Sequence, residues 1–105
     1  MPRLDYLFGP GIWSEISGRT VIDFGCGSGN EAMELAQHGA ARVIGLDIRE
    51  DLLRIGRHSV NDAAINNVTF ATSTTETADI IISIDAFEHF DDPAVVLQVM
   101  EKLLN

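Results

Sequence analysis

Residues Val21–Asn30 read VIDFGCGSGN and form the most informative segment of the chain. The segment overlaps a β-branched and apolar run, Thr20–Phe24, which suits a short strand buried on both faces. Gly25, Gly27 and Gly29 follow, and a helical pattern begins at Asn30. Glycines let a backbone approach a ligand closely, and a helix N-terminus adds free N–H groups and a partial positive charge. We therefore expect a ligand-binding turn where this strand ends.

Strands and helices alternate on the C-terminal side of this segment. The further predicted strands are Val43–Asp47, Val68–Ala71 and Ile80–Ile84, and the predicted helices are Asn30–His38, Asp51 to about Ala64 and Pro93–Leu104. Nearly continuous apolar strands that alternate with helices are typical of an α/β fold with a mostly parallel sheet between two helical layers. Right-handed crossovers then predict the strand order 3-2-1-4. Residues 72–79 can connect strands three and four, but they are too few to include a helix.

The composition bounds the possible functions. The chain has 105 residues and a formal net charge of −9, so we expect one domain, residues 1–105, with residues 1–17 as an N-terminal flap. The negative charge argues against nucleic acid or an anionic membrane as a partner. One cysteine cannot form an internal disulfide, and no apolar run is long enough to span a bilayer. With no signal-peptide pattern at the N-terminus, these features predict a soluble, cytoplasmic protein.

Two carboxylates accompany the glycine turn. Asp23 lies two residues before Gly25, and Asp47 ends the second predicted strand, where a carboxylate can accept both hydroxyls of a ribose. One candidate ligand is a nicotinamide or flavin dinucleotide, but its fingerprint is G-x-G-x-x-G, whereas Gly25, Gly27 and Gly29 follow G-x-G-x-G. An acidic strand end suits a cationic ligand better than a pyrophosphate.

Three motifs follow one another along the chain: DFGCGSG at residues 23–29, VIGLDI at 43–48 and DIIISIDAFEHFDDP at 79–93. Taken in order, they resemble those of the class I S-adenosylmethionine-dependent methyltransferases, which have a Rossmann-like fold, and the resemblance covers Gly18–Leu104. It implies S-adenosyl-L-methionine as the cofactor and methyl transfer to an acceptor by direct displacement. The residues that it implies in cofactor binding are Asp23, Gly25, Cys26, Gly27, Gly29, Asp47, Ile48, Ser73, Thr74, Asp85, Ala86 and Phe87.

The resemblance also implies a role for several of these residues. Asp23 helps to hold the amino group of the methionine portion through the loop, and the three glycines let the backbone pass beneath the cofactor. Asp47 binds the ribose, Ile48 flanks the adenine, and residues 85–87 border the methionine end. Ser73 and Thr74 stand where the family usually has an acidic pair that contacts the adenine amino group, so only hydroxyls are present there.

The sequence departs from the family after the fourth strand. Family members continue into further strands that this sequence lacks, which predicts an uncovered edge at Ile80–Ile84 and a possible homo-oligomer through that edge. It also leaves an alternative function open, a non-catalytic S-adenosylmethionine-binding half domain or fragment. DAFE, Asp85–Glu88, lacks the prolines found in many amine-methylating relatives, so we expect a small-molecule acceptor.

Two further residues have more than one interpretation. His89 is a candidate general base for the acceptor, a histidine that packs near Phe87 and Phe90, or a metal ligand with Asp85 and Glu88. No further histidine follows to complete a metal cluster, so we predict no metal. Cys26 is either a reactive thiol at a helix N-terminus or a small residue that fills the loop.

Overall fold

A computed structural model describes residues 11–83 of the chain. The helices are α1 (Ile12–Ile16), α2 (Asn30–Gln37) and α3 (Glu50–Asp62). The strands are β1 (Thr20–Phe24), β2 (Arg42–Leu46), β3 (Val68–Ala71) and β4 (Ile80–Ile82). Each element predicted in this range is present, with ends that differ by at most two residues. The predicted final helix, Pro93–Leu104, lies outside the described residues, as does Ile84 at the end of the fourth predicted strand.

The four strands form one sheet in the order β3-β2-β1-β4, and every neighbouring pair is parallel. The predicted strand order is therefore confirmed. Asp23 in β1 is aligned with Gly45 in β2 and with Ile82 in β4. Because parallel strands all end at the same side of the sheet, the residues that follow β1, β2 and β3 meet at one edge.

The core lies on both faces of the sheet because side chains alternate along each strand. One cluster contains side chains from all four strands, such as Val21 and Val43. The helices contribute Ile16, Leu35 and Leu53, and these five side chains have no exposed surface. The second cluster contains Ile22, Ile44, Leu46 and Ala78. Burial of both faces of β1 and β2 agrees with their continuous apolar sequences.

The N-terminal part of the described chain packs against the end of α2. The Trp13 ring stacks on His38 with the ring centres 4.4 Å apart, and the Gly18 N–H donates to the Gly39 carbonyl at 2.9 Å. Gly39, the second residue after α2, has a φ of 117°, which glycine adopts more readily than other residues and which ends the helix. Only residues 11–17 of the predicted N-terminal flap lie in the described part, and they pack on the body as a short helix.

The connector between β3 and β4 contains no helix, as its length predicts. The Arg42 guanidinium at the start of β2 makes an ion pair with Glu76 in this connector. The Asp79 carboxylate accepts a hydrogen bond of 3.0 Å from the Thr20 N–H at the start of β1. These contacts hold the connector along the edge of the sheet opposite to the glycine turn.

Candidate functional site

The turn between β1 and α2 adopts a conformation that requires glycine at three positions. Gly25, Gly27 and Gly29 have φ angles of 76°, 60° and 88°. Side chains with a Cβ rarely adopt these values, so the alternating glycines are needed for the path of the backbone. The N–H groups of Gly25 and Cys26 both donate to the Leu46 carbonyl, at 2.7 and 2.9 Å, so the turn is fixed to the end of β2.

Gly29 and two other glycines make room for the Phe70 ring. A Cβ on Gly29 would lie less than 3.0 Å from the ring, and one on Gly45 or Gly56 would lie 2.7 or 2.9 Å from it. Phe70 is only 4% exposed, so the ring cannot move away easily. The structure thus gives Gly29 a packing role that sequence analysis missed, beside its predicted role beneath a cofactor. Gly56 likewise permits α3 to pack closely against the ring.

Asp47 follows β2 and lies directly beside the glycine turn. Its Oδ2 atom accepts a hydrogen bond of 2.8 Å from the Gly27 N–H, and its Oδ1 atom accepts one of 2.9 Å from the Arg49 N–H. The Arg49 guanidinium forms a bidentate ion pair with the same carboxylate, from Nε to Oδ1 at 2.9 Å and from Nη2 to Oδ2 at 2.8 Å. The side chain of Asp47 is only 3% exposed.

These hydrogen bonds account for the acidity of Asp47. The side-chain hydrogen bond of Arg49 is the largest cause that lowers the pKa of Asp47 to about 2, and the N–H groups of Arg49 and Gly27 add to it against the opposing effect of burial. The carboxylate is therefore ionised at every physiological pH. Sequence analysis missed Arg49, although an arginine two residues after a strand-ending acid is a signal that could have identified it.

Asp23 and Cys26 are buried beside the same turn. Asp23 is 2% exposed, and Cys26 is 6% exposed. Burial raises the pKa of the Cys26 thiol far above its usual range, and the negative charges of Asp23 and Asp47 raise it further. The interpretation of Cys26 as a reactive thiol is therefore wrong, because burial and the two carboxylates keep the thiol in its neutral form. The other interpretation, a small residue that fills the loop, agrees with its burial.

The edge beyond Asp47 carries one exposed apolar side chain and two hydroxyl residues. Ile48 is 86% exposed, which is unusual for a large hydrophobic side chain in this structure. Ser73 is exposed after β3, and Thr74 is partly buried. The Thr74 hydroxyl oxygen accepts a hydrogen bond of 3.1 Å from the Glu76 N–H, so this hydroxyl already has a partner in the connector. Ile48 and the residues after β3 thus flank the buried acids at the carboxyl ends of the strands.

The remaining predicted site residues cannot be placed. Asp85, Ala86, Phe87, Glu88 and His89 lie outside the described residues. Within residues 11–83 there is no group of three or more histidine, cysteine, aspartate or glutamate side chains that could hold a metal ion. A search of the same range finds no helix with the length and apolar character needed to cross a bilayer.

Comparisons with known proteins identify the family. A family model described as a methyltransferase domain matches residues 3–105, so the chain belongs to this methyltransferase family. This match confirms the resemblance of the three motifs to those of class I S-adenosylmethionine-dependent methyltransferases.

One curated relative and two solved structures illustrate the match. The ubiquinone biosynthesis O-methyltransferase of Neisseria meningitidis serogroup A is 33% identical, over 97% of this chain and 45% of that protein. An S-adenosylmethionine-dependent methyltransferase from Mesorhizobium loti superposes with a TM-score of 0.76 at 24% identity, over 92% of this chain and 48% of that chain. Coclaurine N-methyltransferase bound to N-methylheliamine and SAH superposes with a TM-score of 0.78 at 23% identity, over 85% of this chain and 28% of that chain. The structural matches confirm the fold, and the chain spans less than half the length of the curated relative.

Proposed function

We propose that this chain binds S-adenosyl-L-methionine at the carboxyl ends of β1 and β2 and takes part in methyl transfer to a small-molecule acceptor. The observation that carries the proposal is the position of the Asp47 carboxylate. The Gly27 N–H holds it at 2.8 Å against the glycine turn, where the ends of two parallel strands meet. A nucleoside bound at these strand ends would present its ribose hydroxyls to a carboxylate that is already oriented.

The charge at the turn favours this cofactor over a dinucleotide. Two buried carboxylates, Asp23 and Asp47, lie at the turn, and after burial their charges are the next largest causes that raise the pKa of the Cys26 thiol, against the smaller opposing effect of Arg49. Carboxylates repel a pyrophosphate and attract the sulfonium and ammonium groups of S-adenosylmethionine. The residues present therefore fit the proposed cofactor.

Each described residue of the site would have a separate task. Asp47 would accept hydrogen bonds from the ribose, and the exposed Ile48 side chain would contact the adenine ring. Asp23, at the end of β1, would help to hold the methionine amino group through the turn. The cofactor supplies a methyl group that its sulfonium already makes electrophilic, so the protein chiefly positions the reactants.

The names of the relatives favour a hydroxyl group as the acceptor. The Neisseria meningitidis relative is named an O-methyltransferase of ubiquinone biosynthesis, and its match covers nearly the whole of this chain. We accordingly propose a small molecule with a nucleophilic oxygen as the substrate. His89 stays a candidate general base that would take the hydroxyl proton, and residues 85–87 stay candidates for the methionine end.

Methyl transfer from tritium-labelled S-adenosylmethionine tests this proposal. The 105-residue chain would be incubated with small phenols, catechols and amines, and with protein and nucleic acid as comparison acceptors. We expect label in a hydroxyl-bearing small molecule and none in the macromolecules. Binding of S-adenosylhomocysteine without any transfer would support the non-catalytic alternative, and the absence of binding would contradict both functions.

Three other expectations remain proposals: a single domain over residues 1–105, a cytoplasmic location, and a homo-oligomer through β4. Strand β4 pairs with β1 on one side, and within residues 11–83 no strand lies on its other side. An unpaired strand edge can pair with a second copy of the chain. Analytical ultracentrifugation would detect such a species, and a monomer at all concentrations would contradict the proposed oligomer.

A further inference from the structure

The Asp47 carboxylate has no acceptor position left for a ligand in this structure. A carboxylate offers about four lone-pair positions on its two oxygens. All are used by donors of this chain, namely the Gly27 N–H, the Arg49 N–H and the Nε and Nη2 atoms of the Arg49 side chain. A ribose diol needs two of these positions, one on each oxygen.

The four donors fall into two kinds. The two backbone N–H groups belong to the glycine turn and to the start of α3, so they are fixed by the fold. The two side-chain donors belong to a guanidinium that contacts one acceptor position on each oxygen, as a vicinal diol would. The Arg49 side chain is 53% exposed, whereas that of Asp47 beneath it is 3% exposed.

We propose that the Arg49 side chain occupies the ribose position at Asp47 and is displaced when the cofactor binds. The free energy needed to displace it lowers the affinity for the cofactor. This inference rests on the proposed function and deepens it. The backbone donors keep the carboxylate oriented while the guanidinium leaves, and the ribose hydroxyls take the two acceptor positions that it vacates. Arg49 thereby determines affinity without contacting the reacting atoms.

The surroundings of Arg49 give the displaced guanidinium a second partner. The hydrogen bond and charge of Asp47 raise the pKa of Arg49, and the charge of Asp51 adds to this effect. Asp51 is exposed in the first turn of α3, two residues after Arg49. An arginine that leaves Asp47 can therefore turn outward to a carboxylate in water, which makes the exchange less costly than full loss of the ion pair.

The Arg49→Met variant tests the inference, because methionine has a similar length and no donor. Calorimetric titration with S-adenosylhomocysteine should give about 5-fold tighter binding than the unmodified chain, the equivalent of ~1 kcal/mol for a bidentate ion pair whose arginine is half-exposed. The matched control is Arg54→Met on the exposed part of α3, which removes the same charge and should change the affinity less than 2-fold. S-adenosylhomocysteine is used because it has no sulfonium charge.

A second readout separates displacement from a general opening of the site. NMR titrations with adenosine should show the same gain for Arg49→Met, whereas 2′,3′-dideoxyadenosine should show none, because it lacks both ribose hydroxyls. An equal gain with both nucleosides would overturn the inference.

The outcomes distinguish the inference from the proposed function. Binding to Arg49→Met that equals or is weaker than binding to the unmodified chain would overturn the role of Arg49 and leave the proposed cofactor in place. Binding by neither protein would contradict the proposed function itself, and the inference with it. Detectable binding by the variant alone would support the inference most strongly.

Discussion

Asp47 shows how one side chain can be buried and ionised at the same time. Burial alone would favour its neutral form, but charge-assisted hydrogen bonds from Arg49 and the Gly27 N–H reverse that effect. The carboxylate is thus held in a fixed orientation as a charged acceptor. Ile48, the next residue, is almost fully exposed, so a polar anchor and an apolar surface lie side by side where a nucleoside would bind.

Replacement of Ile48 by serine should weaken cofactor binding without affecting the fold. An 86% exposed side chain contributes little to folding, so we expect the free energy of unfolding to change by less than about 0.5 kcal/mol. Loss of apolar contact with the adenine should weaken binding of S-adenosylhomocysteine by ~1 kcal/mol, or about 5-fold. Calorimetry and urea denaturation measure the two effects. Unchanged affinity would remove Ile48 from the site.

Stability should depend on the ionisation of Asp47 at acid pH. Its pKa is about 2 in the folded chain and near 3.8 in the unfolded chain, so its ionised form stabilises the fold above about pH 4. This contribution is lost as the pH falls towards about 2. Relative to Asp47→Asn, the unmodified chain should be more stable by about 1 to 2 kcal/mol at pH 6, a figure lowered for the exposure of Arg49.

Urea denaturation of both proteins from pH 6 to pH 2 provides the check. The difference between the two free energies of unfolding should narrow as the pH falls, because the asparagine variant has no group to protonate at this position. A constant difference across the series would show that the ion pair with Arg49 does not stabilise the fold.

At the scale of elements, helix α3 and strands β2 and β3 pack closely around one aromatic ring. Phe70 of β3 lies against Gly45 of β2, Gly56 of α3 and Gly29 at the start of α2. The Arg57 side chain of α3 also donates a hydrogen bond of 2.9 Å to the Phe70 carbonyl. These contacts fix α3, which begins next to Asp47, relative to the glycine turn.

The Gly56→Ala substitution should destabilise the chain, although alanine favours helices. A Cβ at this position would lie 2.9 Å from the Phe70 ring and 3.0 Å from the Ser28 carbonyl oxygen. We expect a loss of about 1 to 3 kcal/mol from overpacking, in place of the gain of ~1 kcal/mol expected for an open helical position.

A double-mutant cycle with Phe70→Leu isolates the contact with the ring. The cost of Gly56→Ala should fall by at least half in the Phe70→Leu background, because leucine leaves space beside α3. Chemical denaturation of the four proteins gives the coupling energy. Equal costs in both backgrounds would mean that the ring does not set the requirement for glycine.

The sequence predicted the elements well because each strand is a short apolar run and each helix has one apolar stripe. The strand order followed from the handedness of parallel crossovers and was confirmed. The contact between Phe70 and three glycines could not be predicted, since it joins residues from four separate segments. The position of Arg49 two residues after Asp47 could have indicated their pairing, but its bidentate geometry could not be predicted, because side-chain geometry after a strand depends on the turn.

The whole molecule carries a large excess of negative charge. It has 16 acidic and 7 basic residues, and two of the ion pairs in its described part, Arg42–Glu76 and Arg57–Glu50, are exposed. Exposed pairs of this kind contribute little to stability, whereas at a net charge of −9 the excess negative side chains repel one another in the compact state. Dissolved salt screens this repulsion between exposed charges.

Salt should therefore stabilise the chain. We expect the melting temperature to rise by about 4 °C between 10 mM and 300 mM sodium chloride, the equivalent of ~1 kcal/mol for a domain of this size. Circular dichroism would record the transition. The Arg42→Gln variant, which is more negative and lacks one exposed ion pair, should respond at least as strongly. A fall in melting temperature with salt would show that attractive pairs outweigh the net repulsion.

The central claim is that the carboxyl ends of β1 and β2 bind S-adenosylmethionine through the ribose and Asp47. Calorimetric titration of the unmodified chain and Asp47→Ala with S-adenosylhomocysteine tests it most directly. We predict a single site whose affinity falls at least 10-fold in the variant, because charge-assisted hydrogen bonds contribute ~1.5 to 3 kcal/mol. Equal affinity in the two proteins would contradict the claim.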